Sequence, residues 1–313
     1  MDILKGKVAV ITGGSRGLGY SIAQAYAQEG AQVVIGSRSA ASVEKAVSEI
    51  RAAGGEVSGI ACDTGDRKQV TALAEHAIEK FGQLDIWMNN AGLSCPIGPT
   101  VHIPPETIDA LTQTNVMGVY NGSLVAMHHF VKQGKGKLIN LLGRGYKSAT
   151  PMFNPYGASK AWVNFFTRSL AKEYRDSGVG VYLFHPGLVK SDMMGHLTFV
   201  EGYVDQNMKV FQVIARMFAL DPEVSATKAV WLASQATDGK TGLLINLLNM
   251  KIMLKGAARE GIRALLRRPA PPLNIQITTV PQAFQLAEKD SAINEALQFK
   301  PGLLHADDDP TPG

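Results

Sequence analysis

Cysteine is scarce in this chain, whose 313 residues contain only Cys62 and Cys95. One lies in an apolar stretch and the other in a Gly/Pro loop, which argues against a disulfide scaffold and fits a reducing compartment. Metal-ligand spacing is missing too. Neither cysteine belongs to a ligand cluster, and none of the seven histidines falls in a His-Glu-x-x-His arrangement, so no metal is expected. No run of 18 apolar residues occurs, which argues against a membrane-spanning helix. The opening Met1-Asp2-Ile3-Leu4-Lys5-Gly6-Lys7 passes directly into a buried-strand pattern without a signal-peptide core, so a cytoplasmic protein is expected. Charge of one sign is also modest. The net charge is +4, with Lys and Arg scattered through most of the chain, and nucleic acid is not expected as a partner.

What is present is apolar alternation. With 45% hydrophobic and 19% charged residues, the chain has enough apolar surface to bury a sizeable core. Short apolar runs alternate with helical periodicity from residue 8 to about 250, as in a doubly wound α/β fold with a parallel sheet. Seven strands are predicted: Val8 to Ile11, Gln32 to Ile35, Val57 to Ala61, Leu84 to Met88, Lys137 to Leu142, Val179 to Phe184 and Gly242 to Leu248. Between them, spacings such as Val70, Leu73, Ala74, Ala77, Ile78 and Phe81 draw helices with one apolar stripe, to be packed on both faces of the sheet. Loops at Cys95-Pro96-Ile97-Gly98-Pro99 and His185-Pro186-Gly187 project beyond the carboxyl ends of strands, the edge where such sheets bind ligands.

The first strand runs into Thr12-Gly13-Gly14-Ser15-Arg16-Gly17-Leu18-Gly19 and then a helix. Glycines there let the backbone approach a pyrophosphate, while the helix N-terminus offers N–H donors and its positive dipole end. This context identifies a dinucleotide-binding (Rossmann) domain holding a nicotinamide cofactor. The second strand ends Gly36-Ser37-Arg38-Ser39, without the acidic residue that would accept from a ribose 2′-hydroxyl. Arg38, with Arg16 approaching from the glycine turn, matches a 2′-phosphate and points to NADP(H).

Further along, Tyr156-Gly157-Ala158-Ser159-Lys160 opens a periodic helix that sets Tyr156 and Lys160 on one face. An ammonium beside a phenol is expected to lower its pKa and suit it to acid/base work. Taken with the glycine turn, Asp63, Asn89-Asn90-Ala91-Gly92, Asn115 and Pro186-Gly187-Leu188-Val189-Lys190-Ser191, the sequence resembles the short-chain dehydrogenase/reductase family from residue 5 to about 250. The resemblance implies roles. Asp63 would lie beside the adenine, Asn90, Ala91 and Gly92 would line the cofactor and steady the fourth strand, and Asn115 would hold a water in a proton relay. Lys160 would orient the nicotinamide ribose, Tyr156 would be the acid/base, and Val189 would bond the carboxamide through its backbone. Ser191 stands where the family usually has Thr.

One departure matters. The family's catalytic Ser, 13 residues before the Tyr, is Gly143 here. Loss of one such donor costs on the order of 10²–10³ in rate. Ser148, Thr150 and Arg144 follow in the loop and could substitute, though each reads first as a loop residue facing solvent. Two functions are compatible with this pattern: an NADPH-dependent carbonyl reductase with Tyr156 as proton donor, and an NADP(H)-binding regulatory or scaffold protein with weak or no catalysis.

By the same resemblance residues 192–220 form a substrate lid, rich in Met193, Met194, Leu197, Phe199, Tyr203, Met208, Phe211, Met217 and Phe218. These residues either line a pocket for a bulky hydrophobic carbonyl substrate or form a helical core stripe. Residues 1–250 are thus read as one domain and 251–313 as an extension, with an acidic, Pro-rich tail expected to be disordered. In the extension Lys251, Lys255, Arg259, Arg263 and Arg267 recur every four residues among Leu254, Ala258, Ile262, Leu265 and Leu266. This basic amphipathic helix either touches an anionic membrane peripherally or packs its apolar side on the main domain or a sister subunit. The resemblance implies a homodimer through the long helices that hold Asn115 and Tyr156.

Overall fold

The computed structural model describes residues 2–248, 250–269 and 273–283. In chain order it contains β1 (Val8–Thr12), α1 (Gly17–Gln28), β2 (Gln32–Ser37), α2 (Ala40–Ala52), β3 (Val57–Ala61), α3 (Arg67–Phe81) and β4 (Ile86–Asn89). Then come α4 (Pro105–Thr112), a π-turn at Gln113–Met117, α5 (Gly118–Gln133), β5 (Gly136–Leu141), α6 (Asn154–Glu173) and β6 (Val179–His185). The remainder holds β7 (Leu188–Val189), α7 (Asp192–Gly195), β8 (His196–Val200), α8 (Val204–Phe218), β9 (Ala219–Leu220), α9 (Pro222–Ala233), β10 (Leu244–Asn246), α10 (Met250–Leu265) and β11 (Gln276–Val280).

Seven strands form one parallel sheet in the order β10-β6-β5-β4-β1-β2-β3. All seven expected strands are present, each end within two residues of the expected one and β3 unchanged; the last is shorter than its apolar run. Both sheet faces are covered, so β1 is buried at every residue and reads as a continuous apolar run. Ala9 and Ile11 enter the core built with Ile22, Tyr26 and Ala229 of α1 and α9. Val8 and Val10 enter the opposite one with Leu73, Val125 and Phe130 of α3 and α5. Strand order reverses at β1 and β4, where chains leave toward opposite faces and open a crevice beyond their carboxyl ends.

A buried polar chain ties the middle of the sheet to α6. Trp87 Nε1 donates to Asn89 Oδ1 (2.8 Å), Asn89 Nδ2 to Asn140 Oδ1 (2.8 Å), and Asn140 Nδ2 to Thr167 Oγ1 (2.9 Å). A satisfied network of this kind fixes α6, and with it Tyr156, against β4 and β5.

The described part of the extension packs on residues 192–220. β11, which Pro269, Pro271, Pro272 and Pro281 concealed in the sequence, pairs in parallel with β8 from Gln276↔His196 to Val280↔Val200. Ile97 bridges to Phe199 on the loop after β4. Ile275 joins Leu197, Phe199, Met208 and Phe211 in a small core, so part of the Met/aromatic run is packing for the lid itself.

α10 lies along α8, with Gly256 so close to Met217 that a Cβ would overlap its carbonyl. On the same side Glu260 pairs with Arg216 (3.5 Å) and Arg263 (2.8 Å). The inward face of α10 is therefore small and charged. Leu254, Ile262, Leu265 and Leu266 are exposed, contrary to the packing of the apolar side on the main domain. The acidic tail lies outside the described residues.

Phe199 is fully buried in the lid core. Phe199→Ala is expected to destabilise the protein by about 3–5 kcal/mol in urea melts and to open residues 192–220 to trypsin. An unchanged midpoint and digestion pattern would show that the lid and the extension are not one packed unit.

Candidate active site

The glycine turn is shaped by close approach. Gly13 has φ +66°, where other residues are strained, and a Cβ on it would stand 2.9 Å from Ala91 Cα. A Cβ on Gly19 would overlap both Gly13 O and Asn90 Nδ2. Gly17 (φ +54°), Leu18 and Gly19 start α1, with Ser15 and Arg16 before them. α2 and α3 are capped by Ser39 and Asp66, whereas α1 has no side-chain cap and no acid in its first turn. Its free N–H groups and positive end suit a phosphate.

Thr12, which the sequence reading passed over, and Asn90 weld this turn to the end of β4. Asn90 Nδ2 donates to Thr12 O (2.9 Å) and Gly13 O (3.1 Å), and the backbone N–H groups of Asn90 and Ala91 donate to Thr12 Oγ1 (3.1 Å each). Ser37 and the exposed Arg38 lie at the same edge, at the end of β2. Arg16 is exposed and 4.0 Å from Asp192. After β3, Asp63 accepts from the Gly65 N–H (2.9 Å), holding the turn that follows. After β6, Pro186 O accepts from Ser225 (2.8 Å), and the Gly187 N–H donates to Nδ1 of buried His185 (3.2 Å). Burial pushes His185 down to about 4, so the ring stays neutral and able to accept. Val189 follows in β7, and Ser191 Oγ donates to Val189 O (3.3 Å).

Asn115, Tyr156 and Lys160 converge behind this edge. Asn115 lies in the π-turn, which has no separate sequence signal; such turns admit an extra residue and recur at functional sites. Its Oδ1 accepts from Leu93 N (2.7 Å), and its Nδ2 donates to Leu93 O (3.0 Å) and Ser159 Oγ (3.2 Å). Pro155 in the first turn of α6 sets the helix start, and Ser159 donates back to Tyr156 O (2.7 Å). Lys160 Nζ donates to Leu141 O (3.2 Å) and stands 5.7 Å from the Tyr156 ring centre. A Cβ on Gly92 would be 3.5 Å from Asn115 Oδ1 and 3.9 Å from Lys160 Nζ, placing all three around one small space.

The protonation states differ from the expectation of a lowered phenol pKa. Burial, with Cys95 adding to it, pushes Tyr156 up to about 12, and burial pulls Lys160 from 10.5 to about 8. Desolvation disfavours both charged forms and outweighs the pairing of ammonium with phenol. Tyr156 also occupies the space left by Gly143. A Cβ there would overlap the phenol oxygen and stand 3.1 Å from Cζ. Phe153 packs on the ring at 4.8 Å between centres, and buried Cys95 joins them in one cluster. Among the candidate substitutes for the missing hydroxyl, Arg144 and Ser148 are exposed. Thr150 is buried, its Oγ1 against Gly157 and Gly145.

Below pH 8 the folded chain without cofactor carries a buried ammonium, whereas between 8 and 10.5 the unfolded chain binds the extra proton. Stability contributed by this group therefore rises with pH across that window. Lys160→Met is expected to stabilise the cofactor-free protein by about 3 kcal/mol at pH 7, a gain that shrinks to nothing by pH 10.5, as followed by denaturant melts. A destabilised variant at pH 7 would contradict this assignment.

Comparison with known proteins agrees with this geometry. The sequence profile of the short chain dehydrogenase family matches residues 7–199. A 3beta-hydroxysteroid dehydrogenase 1 of Eggerthella lenta is 34% identical over 245 residues, covering 77% of this chain and 92% of that protein. A diacetyl reductase [(S)-acetoin forming] of Staphylococcus epidermidis is 30% identical over 244 residues, covering 75% and 95%. The crystal structure of a 3-ketoacyl-(acyl-carrier-protein) reductase from Brucella melitensis complexed with NADH superposes with a TM-score of 0.69 at 29% identity, covering 78% of this chain and 97% of that one. With a nucleotide turn at the switch point, Asn115, Tyr156 and Lys160 around one space, and these relatives, the chain belongs to the short-chain dehydrogenase/reductase family of oxidoreductases.

Proposed function

We propose that the protein is an NADPH-dependent reductase of a ketone or aldehyde carbonyl on a bulky apolar substrate. The observation that carries this reading is Tyr156, buried on the same helix as Lys160, whose Nζ stands 5.7 Å from its ring centre, with buried Asn115 at the same site. The phenol is protonated at pH 7 and so can donate to a carbonyl oxygen; burial without ligands makes it a weaker acid than a free phenol, and proton transfer must be helped by the groups around it. The nicotinamide, when bound, supplies the hydride that goes to the carbonyl carbon. Tyr156 gives its proton to the oxygen, and the product is the alcohol.

The other residues bind and orient. Gly13, Ser15, Arg16, Gly17, Leu18 and Gly19 take the pyrophosphate on the uncapped end of α1, with Ser37 and Arg38 at the adenosine end and Asp63 beside the adenine. Asn90, Ala91 and Gly92 form the floor, Pro186, Gly187, Val189 and Ser191 the nicotinamide side, and Lys160 the ribose contact. Both ends of the Asn115 carboxamide are already engaged. A relay water would therefore have to use another atom of this residue, its backbone carbonyl in the π-turn. Preference for NADPH rests on Arg38 at the end of β2, where no carboxylate stands to repel a 2′-phosphate.

The lid, residues 192–220, closes over the substrate, with Met193 and Met194 at its start. Exposed Leu124 and Val131 on α5 and Phe165 on α6 favour a homodimer through these helices. Among the described residues no helix is long and apolar enough to cross a membrane.

Stopped-flow oxidation of NADPH against alicyclic and aromatic ketones is expected to show turnover. Tyr156→Phe should abolish it while NADPH still binds, and Arg38→Asp should weaken NADPH by about tenfold or more relative to NADH. Tight NADPH binding with no turnover on any carbonyl would favour the regulatory reading. Because a side chain at 143 collides with the phenol, Gly143→Ser is expected to lower kcat about tenfold or more instead of restoring a donor. A faster Gly143→Ser enzyme would show that the phenol swings clear when the ligands bind.

A further inference from the structure

We propose that the outward face of α10 is a docking surface for an anionic lipid bilayer, seated at the back of the lid. Leu254, Ile262 and Leu265 on α10 and Leu266 just after it are 63%, 57%, 81% and 52% exposed, four large apolar side chains within thirteen residues. The opposite face is committed to the protein, through Gly256 against Met217 and Glu260 between Arg216 and Arg263. The outward orientation is therefore fixed by packing.

Charge selects the occupant. Residues 250–268 carry Lys251, Lys255, Arg259, Arg263, Arg267 and Arg268 against Glu260 alone, so this stretch is more positive than the whole chain's net +4. Arg267 and Arg268 lie exposed just past the exposed leucines. A helix with apolar side chains to insert and the exposed Arg267 and Arg268 beside them fits the boundary between anionic headgroups and acyl chains. A second copy of α10 would bring the same positive charge to the contact, and a nucleic acid would leave the leucines in water. Because α10 rests on α8, the bilayer would lie directly behind the lid, whichever reaction the site performs.

Sedimentation of the full chain with phosphatidylglycerol vesicles and with phosphatidylcholine vesicles tests this. Binding to the first and little to the second is expected, with partition falling about tenfold in Leu254→Ser/Leu265→Ser, in Arg267→Glu/Arg268→Glu and on raising salt to roughly 0.5 M. Unchanged thermal midpoints and NADPH binding would show the variants folded, since all four side chains are exposed. No sedimentation with phosphatidylglycerol, or undiminished sedimentation of both variants, would overturn the proposal. So would conversion of an oligomer to monomer by the leucine substitutions without lipid binding, which would assign the face to a second copy. Binding that appears only after truncation at residue 283 would assign it to the chain's own tail.

Discussion

The carboxamide of Asn90 is the contact on which the cofactor edge depends. Its Nδ2 bonds the carbonyls of Thr12 and Gly13, while Thr12 Oγ1 takes the N–H groups of Asn90 and Ala91. β1 and β4 are thus closed together at the point where the sheet changes direction. The glycines follow from this closure, because Asn90 Nδ2 occupies the volume that a Cβ on Gly19 would need and Ala91 crowds Gly13. Glycine in the turn and asparagine at the end of β4 are therefore two halves of one constraint. Satisfied from inside the fold, the turn keeps its shape without a ligand, and α1 is left with uncapped donors at its positive end.

Behind that edge, desolvation sets the chemistry. Tyr156 and Lys160 are both pushed toward neutrality, and neither is rescued by the other at 5.7 Å from ring centre to ammonium. Placing both in a dry space costs stability that the buried network through Asn89, Asn140 and Thr167 helps to offset by anchoring α6. Gly143 belongs to the same arrangement. Read by sequence alignment of roles it is a missing hydroxyl, but in space it is the volume into which the phenol settles.

Much of this was legible in the sequence because it followed from periodicity and backbone geometry. Continuous apolar strands, the Gly13 to Gly19 turn and the Tyr156-Lys160 spacing all have local causes. Less legible were features that depend on distant partners. Thr12 looks like the end of any strand until Asn90 meets it. The π-turn around Asn115 is set by what α4 and α5 pack against, and the pKa of Tyr156 by burial among Phe153 and Cys95, which no spacing announces. β11 lay hidden among prolines because its stability comes from β8, 80 residues earlier in register.

That pairing ties residues 192–220 to the segment that follows α10. β8 is held by β11 on one edge and by Ile97 through Phe199, while α8 is held by α10 through Gly256 and the Arg216, Glu260 and Arg263 ion pairs. Held from two sides, residues 192–220 are not a free loop; displacing them would carry α10 and β11 along or break the core around Phe199. α10, whose Leu254 and Leu265 are exposed, meets Met217 of that same segment through Gly256.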